Sequence, residues 1–298
     1  MNISDFFKIK KVVFSLEVFP PKKDNSVNII YNTLLKLRGL PVDFISVTYG
    51  SGGNISQREK TCEIASLIRS AYHIEPVAHL TCINSNEDEI RETLTKLKEN
   101  QIQNILALRG DINPEIPSQR VFQHASDLVR FIKETDPDFN IIGACYPECH
   151  YESNSIDEDI ENLKKKIDQG VTHLITQLFF DNHNFYAFLE KVRQAGITVP
   201  IEAGIMPIVN KNQIERMVSM CGASVPAKLA KIINRYSDNP IAFKDAGIFY
   251  ATEQIMDLLE NGVQGIHLYT MNNVETATRI SDNIQNIIAA ENNESGIQ

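Results

Sequence analysis

The feature that most constrains the fold of this chain is a regular alternation of short strand-like runs with helical stretches. Apolar residues three and four positions apart, such as Ile90, Leu94 and Leu97, mark the helical stretches. This alternation predicts a parallel α/β sheet. The β-branched and aromatic runs are Val12–Phe19, Asp43–Tyr49, Pro76–Cys82, Asn104–Arg109, Asn140–Tyr146, His173–Phe180, Pro200–Met206 and Gly265–Met271.

Eight such units in 298 residues favour a closed (β/α)8 TIM barrel, a fold that commonly takes about 250 residues. The alternative is an open, doubly wound sheet that binds a dinucleotide. Its GxGxxG fingerprint does not follow the first strand, because the glycine-rich run at 50–53 has the wrong spacing. Surplus helical sequence from Val225 to Asn261 predicts extra helices before the last strand. We therefore expect one catalytic domain over residues 1–298.

Composition narrows the partners and the compartment. A net charge of −9 argues against general affinity for nucleic acid or an anionic membrane surface. No apolar run is long enough to span a bilayer, and the N-terminus lacks the charged-then-apolar order of a secretory signal.

Five cysteines without a CxxC pair predict free thiols in a reducing cytoplasm. The spacing of Cys145, Cys149 and His150 does not suit zinc, so no metal site is expected. We expect disorder only in Glu291–Gln298.

A carboxylate in the first strand is the sharpest chemical signal. If the apolar residues of that strand face the helices, then Ser15, Glu17 and Phe19 face the barrel interior. An unpaired carboxylate there is costly, so Glu17 is either held in a structural ion pair or used in catalysis. Its place near the C-terminal end of the strand favours catalysis. Packed against Phe19, the carboxyl would keep its proton near neutral pH and could serve as a general acid.

Further polar residues stand at the ends of other predicted strands. Each has an ordinary explanation: His79 could be a satisfied core histidine, and Arg109 could pair with Asp111 at the surface. Convergence on one face of a barrel is harder to explain without an active site, because barrel enzymes keep their sites there. The residues are Thr48, Tyr49, His79, Thr81, Arg109, Gly110, Asp111, Tyr146, His150 and Gln177.

The helix after the fifth strand offers a local basic patch. Asp159, Asn162 and Lys166 lie on one stripe, with Lys165 beside it. Two interpretations stay open: a solvated helix face, or a cradle for ribose hydroxyls and phosphates. An acidic chain that binds an anionic ligand needs such a patch.

Taken together, these segments resemble the methylenetetrahydrofolate reductase family, in the bacterial form that lacks a regulatory domain. The resemblance runs from about Val13 to Glu275. Eight motifs in the family's order carry it: Leu16–Pro21, Ser46–Gly50, Ala78–Cys82, Ala107–Asp111, Tyr146–His150, Ile175–Asp181, Gly204–Pro207 and His267–Asn272.

The resemblance implies a flavoenzyme of one-carbon metabolism and methionine biosynthesis. It implies non-covalent FAD, reduced by NADH or NADPH and reoxidised by 5,10-methylenetetrahydrofolate to give 5-methyltetrahydrofolate, with the two substrates taking turns at the flavin. It also implies a homo-oligomer. No motif in the sequence distinguishes NADH from NADPH.

The family's functional residues are expected at matching positions. Glu17 and Asp111 would be catalytic. Folate would be bound by Glu17, Asp111, Gln177 and Gln213. The flavin would be bound by Thr48, His79, Arg109, Gly110, Asp111, Ala144, Tyr146, His150, Asp159, Asn162, Lys165 and Lys166.

Three positions depart from the family pattern. Asn273 stands where an arginine would hold the folate tail, Met217 where a phenylalanine would stack on ligands, and Ala203 where a proline precedes Gly204. Methionine can still pack against a ring. Two alternatives follow: a flavin barrel acting on another substrate, such as another pterin or by a proline-dehydrogenase-like oxidation, or a non-catalytic subunit that binds flavin or folate.

Overall fold

The computed structural model describes residues 1–21, 27–49, 55–111 and 121–294. Eight parallel strands close into a barrel in sequence order, which confirms the predicted (β/α)8 architecture. Every strand overlaps its predicted run, and most end one or two residues earlier because the apolar pattern continues into the loops. The strands are β1 (Val13–Val18), β2 (Phe44–Val47), β3 (Glu75–Thr81), β4 (Asn104–Leu108), β5 (Asn140–Cys145), β6 (Val171–Thr176), β7 (Ile201–Ile205) and β8 (Gly265–Tyr269).

Helices surround the barrel, and the predicted extra helices before the last strand are confirmed. Three helices, rather than one, connect β7 to β8. Asn210 and Asn239 cap the first and third of these through side-chain oxygens that accept backbone N–H groups. The helices are α1 (Phe6–Ile9), α2 (Val27–Leu37), α3 (Ile55–Tyr72), α4 (Glu87–Glu99), α5 (Ala125–Thr135), α6 (Ile156–Asp168), α7 (Asn182–Gln194), α8 (Lys211–Cys221), α9 (Ala227–Tyr236), α10 (Pro240–Glu260) and α11 (Val274–Glu294).

The side-chain alternation predicted for β1 is observed. Phe14, Leu16 and Val18 belong to the large core between the barrel and the helices. Ser15 lies inside the barrel, where it is fully buried and bonds to residues of β7 and β8. The same alternation around the ring places polar side chains inside a cylinder whose outer face is apolar.

The lower end of the barrel, which we call the floor, is closed by the segment Ile3–Ile9. Ile3 is fully buried in the apolar cluster of the barrel interior. Its backbone N–H donates to Asn104 Oδ1 at 2.9 Å. The Phe7 ring lies 5.1 Å from the ring of His173, measured between centroids. The floor is therefore closed by packed side chains, and the cavities described below open at the opposite end.

The expectation of a disordered tail from residue 291 is wrong for its first part. Helix α11 continues to Glu294. Glu291 pairs with Lys11, and the Asn292 side chain bonds to both the N–H and the C=O of Val12. These contacts hold the last helical turn against the start of β1. Residues 295–298 lie outside the described residues, as does Gly50 of the second motif.

Across the described ranges, no helix has the length and apolar character needed to cross a membrane. The same residues contain no group of three or more His, Cys, Asp or Glu side chains placed to hold a metal ion.

Candidate active site

Two adjoining cavities open at the C-terminal ends of the strands. The first, which we call the mouth cavity, lies over the barrel axis and measures about 390 Å³. The second, which we call the helix cavity, lies between the ends of β4 and β5 and helix α6 and measures about 410 Å³. Both are within the usual range for small-molecule sites. Their shared wall consists of Leu108, Arg109, Ala144, Tyr146 and His150.

The structure brings the predicted site residues together around these two cavities, with one exception. Gln213 lines neither of them. The residues along the mouth cavity are Glu17, Thr48, His79, Arg109, Gly110, Asp111, Ala144, Tyr146, His150 and Gln177. Those along the helix cavity are Arg109, Ala144, Tyr146, His150, Asp159, Asn162, Lys165 and Lys166.

Glu17 extends from β1 into the mouth cavity, and its side chain is 18% exposed. Its neighbours differ from the expected ones. Because β1 ends at Val18, Phe19 lies beyond the strand, where its backbone bonds to Asn272. The Glu17 Oε2 atom instead lies 3.6 Å from His79 Nε2 and 3.7 Å from His267 Nε2.

The His79 imidazole is not an ordinary cation for Glu17. Burial lowers the pKa of His79 to about 4, against the opposing effect of the Glu17 charge, so His79 is neutral at neutral pH. Its Nε2 atom is buried and has no hydrogen-bond partner. An unpaired buried nitrogen facing a cavity is available to a ligand.

His267 is held from behind by a chain of polar groups inside the barrel. Its Nδ1 lies 2.7 Å from Ser15 Oγ, and the Ser15 hydroxyl donates to Glu202 Oε1 at 2.9 Å. The chain fixes the imidazole plane and directs Nε2 towards Glu17.

Glu202 is a second interior carboxyl, and sequence reasoning missed it. It is fully buried, and burial raises its pKa well above the ordinary value, despite the hydrogen bond from Ser15. His173 Nε2 lies 3.7 Å away, and burial lowers the pKa of that histidine to about 3. The signal was present: a charged residue interrupts the apolar run Pro200–Met206.

Tyr269 forms the side of the mouth cavity next to Glu17, and it too was missed as a site residue. Its hydroxyl donates to the carbonyl oxygen of Thr176 at 2.6 Å. A Cβ on Gly204 would lie 2.4 Å from that oxygen and 2.7 Å from the tyrosine ring, so only glycine fits there. The spacing of His267 and Tyr269, two apart on one strand, could have predicted that both face inward.

The helix cavity combines lysines with hydrogen-bonding groups. Lys166 donates to the carbonyl of Ala144, and Lys165 donates to Asn162 Oδ1 at 3.1 Å. Among the described residues, neither lysine forms an ion pair with a carboxylate. Asp159 accepts the backbone N–H of His150 at 3.0 Å, which fixes the loop after β5. Two lysines without a carboxylate partner among the described residues could bind phosphate, and the neighbouring amide and carboxylate groups could bind ribose hydroxyls.

Arg109 lies in the wall shared by the two cavities, and its partner is Glu152. The pairing with Asp111 considered from the sequence is not observed, and Asp111 is exposed. Both terminal nitrogens of Arg109 instead donate to the carboxylate of Glu152, one of them at 2.9 Å. The guanidinium holds the pKa of Glu152 well below its usual range, at about 2.

The departures from the family pattern have local explanations in the structure. Met217 packs into the apolar cluster beneath α8, while Met220 and Cys221 line the mouth cavity. Gln213 lies on the same helix, and its Nε2 atom is buried without a hydrogen-bond partner.

Asn273 lies at the start of α11. Its Oδ1 atom accepts the backbone N–H of Thr276 at 3.1 Å, so it caps that helix. Ala203 is buried in the outer core, away from both cavities.

Comparison with known proteins gives the family. The family model described as "Methylenetetrahydrofolate reductase" matches residues 2–285. This chain belongs to the methylenetetrahydrofolate reductase family. The Escherichia coli 5,10-methylenetetrahydrofolate reductase is 36% identical over 266 residues, which cover 89% of this chain and 88% of that protein.

Two further comparisons concern a plant relative and a solved structure. The Arabidopsis thaliana methylenetetrahydrofolate reductase (NADH) 1 is 36% identical over 297 residues, covering 93% of this chain but 50% of the plant protein. The chain thus spans about half the length of that relative. A solved protein from Clostridium thermocellum, which binds two copies of 5-methyl-5,6,7,8-tetrahydrofolic acid, superposes with a TM-score of 0.67, covering 96% of this chain and 100% of its own. At 18% identity, it supports the fold alone.

Proposed function

We propose that this chain reduces 5,10-methylenetetrahydrofolate to 5-methyltetrahydrofolate with NADH or NADPH, using non-covalently bound FAD. Family membership and the match to the bacterial reductase support the reaction. The observation that carries the proposal is the position of Glu17: a carboxyl at a strand tip, partly open to a cavity and flanked by two imidazoles. This is the arrangement that proton transfer to a bound ligand needs.

The residues around the two cavities fit FAD. Lys165, Lys166 and Arg109 offer cations for its diphosphate, and Asp159 and Asn162 offer groups for its ribose. The mouth cavity would take the ring, beside the unpartnered Nε2 of His79. FAD, when bound, supplies the hydride-transfer chemistry that no protein side chain provides.

Glu17 would supply the proton in the reaction with folate. The five-membered ring of methylenetetrahydrofolate must open to an iminium before it accepts hydride, and opening requires a proton on the departing nitrogen. The exposed edge of the Glu17 carboxyl faces the cavity that would hold this nitrogen. The polar chain behind His267 keeps the imidazole in place beside the carboxyl while the proton moves.

Asp111 and Gln177 would orient the substrate. Asp111 stands on the cavity rim as an exposed carboxylate, able to accept hydrogen bonds from the amino group of a pterin. The Gln177 amide oxygen accepts the Leu178 N–H at 2.9 Å, which fixes the side chain in the cavity wall. Gln213 would reach folate only after a movement of α8, since its amide is buried away from both cavities.

The wider setting belongs to the same proposal. Residues 1–298 would act as one FAD-binding βα-barrel catalytic domain, in a cytoplasmic homo-oligomer that serves one-carbon metabolism and methionine biosynthesis. NADH or NADPH and folate would occupy the mouth cavity in turn, because one open cavity lies over the barrel axis and Glu17 lines it. This arrangement predicts ping-pong kinetics.

Two measurements on the purified protein test the proposal. The visible spectrum should show flavin absorbance that NADH or NADPH bleaches. Methylenetetrahydrofolate should then accelerate NAD(P)H oxidation. Flavin bleaching without acceleration by this folate would redirect the search to another pterin, as the missing arginine at position 273 suggests. Absence of flavin binding by the purified protein would contradict the proposal.

A further inference from the structure

We propose that Glu152 is an internal competitor for the anion site of Arg109, occupying the guanidinium until the phosphate of a ligand displaces it. The inference rests on the proposed function, because it concerns the site assigned to the FAD diphosphate. It adds a residue that lowers the affinity for phosphate-bearing ligands and leaves the affinity for neutral ligands unchanged.

The geometry of the pair is that of an arginine holding an anionic ligand. Both terminal nitrogens of Arg109 face the two oxygens of one carboxylate, the bidentate arrangement that guanidinium also forms with phosphate. The Arg109 side chain is 18% exposed, whereas that of Glu152 is 39% exposed. The cation is therefore fixed in the wall shared by the two cavities, and the anion is the more accessible partner.

The other carboxylates of the helix cavity are engaged elsewhere. Asp159 accepts the His150 N–H, and Glu158 accepts both the backbone and side-chain N–H groups of Asn154. Glu152 is thus the one lining carboxylate of the described residues that bonds to a cation of the helix cavity. Its backbone N–H bonds to His150 Nδ1 at 3.2 Å, so the loop presents the side chain to Arg109.

Two consequences follow from exchanging one anion for another. A phosphate that binds Arg109 must first break the pair with Glu152, so the ligand gains only the difference between the two interactions. A ligand without phosphate gains nothing at this position. Removing the charge of Glu152 should therefore tighten binding of phosphate-bearing ligands and leave neutral ligands unaffected.

Equilibrium binding to purified Glu152→Gln tests this inference with three probes: FAD, ADP and riboflavin. ADP carries the diphosphate, ribose and adenine without the flavin ring, and riboflavin carries the flavin ring without phosphate. We expect FAD and ADP to bind about two- to fivefold more tightly to this variant than to the unmodified protein, the range for a partly exposed ion pair. Riboflavin affinity should not change. Glu134→Gln, an exposed residue of α5 outside both cavities, removes the same charge and should change none of the three.

A double-mutant cycle separates competition for Arg109 from a general charge effect. In an Arg109→Gln background, Glu152→Gln should no longer increase the affinity for ADP. Unchanged or weaker binding of both FAD and ADP to Glu152→Gln overturns the inference, whereas the proposed folate reduction by the unmodified protein can still stand. If the protein binds no flavin but Glu152→Gln still tightens ADP, the proposed function fails and the competition stands.

Discussion

Two carboxyl groups inside this barrel have similar histidine neighbours but differ in their access to a ligand. Glu17 and Glu202 both occupy inward-facing strand positions, and each lies 3.6–3.7 Å from a histidine Nε2 atom. Glu17 is 18% exposed at the mouth cavity, whereas Glu202 is fully buried above the sealed floor. Only the first can exchange a proton with a ligand. Access, rather than residue type or partner, separates the carboxyl that we propose to be catalytic from the structural one.

The matched substitutions Glu17→Gln and Glu202→Gln test most directly whether only the accessible carboxyl takes part in the reaction. We expect Glu17→Gln to lower the rate of folate reduction about 10³-fold, the usual contribution of a general acid. Glu202→Gln should stay within about threefold of the unmodified rate, because a glutamine oxygen can still accept the Ser15 hydroxyl. Steady-state assays of both variants decide the matter. Equal losses would mean that the buried carboxyl also takes part in the chemistry.

The second prediction tests whether the floor serves stability alone. Ile3→Ala empties a fully buried position under the barrel and should lower the free energy of unfolding by about 2–5 kcal/mol. Ile9→Ala, at the end of the same segment and 52% exposed, should cost less than about 0.5 kcal/mol. Urea unfolding measures both. The turnover number of folded Ile3→Ala should match the unmodified protein, and a large loss of turnover would mean that the floor influences the mouth.

The third prediction uses the pH dependence of stability to test whether the buried Glu202 carboxyl is held in its neutral form. Because burial raises the folded-state pKa of Glu202, its protonated form favours the folded state. The stability it confers is complete below the unfolded pKa of about 4.3 and is lost as pH rises towards the folded pKa. Relative to Glu202→Gln, the unmodified protein should therefore lose stability progressively as pH rises above about 4.3, as measured by urea unfolding. A constant difference between the two proteins would show that Glu202 is not held in its neutral form.

The smallest effect should come from Asn273, a residue near the mouth whose observed role is structural. Asn273→Ala removes the cap of α11 and should cost about 1 kcal/mol of stability. Asn286→Ala, exposed within the same helix, should cost nothing and can even stabilise it, since alanine is the better helix former. Thermal unfolding compares them. The KM for folate should be unchanged in both, and a rise in Asn273→Ala alone would give this position a part in substrate binding.

The fold was accessible from sequence because each strand and helix carries its own apolar periodicity. The surplus helical sequence from Val225 to Asn261 likewise predicted α9 and α10. The convergence of polar residues at the mouth followed from one geometric rule, that parallel strands of a barrel end on one face.

What sequence could not supply was the choice of partner across the barrel. Phe19 was expected beside Glu17, but the strand ends one residue earlier and two histidines from β3 and β8 take its place. The sequence suggested an ion pair between Arg109 and Asp111, two positions away. The observed partner of Arg109 is Glu152, in the loop after β5. Such pairings depend on the register of strands far apart in the chain, which local patterns do not encode.

The most direct test of the account is to measure the two half-reactions separately in Glu17→Gln by rapid mixing. Reduction of the bound flavin by NADH needs no protein acid, so its rate should match that of the unmodified protein. Reoxidation by methylenetetrahydrofolate should fall about 10³-fold, because the opening of the folate ring loses its proton donor. Equal slowing of both half-reactions would contradict the assignment of Glu17 as that donor.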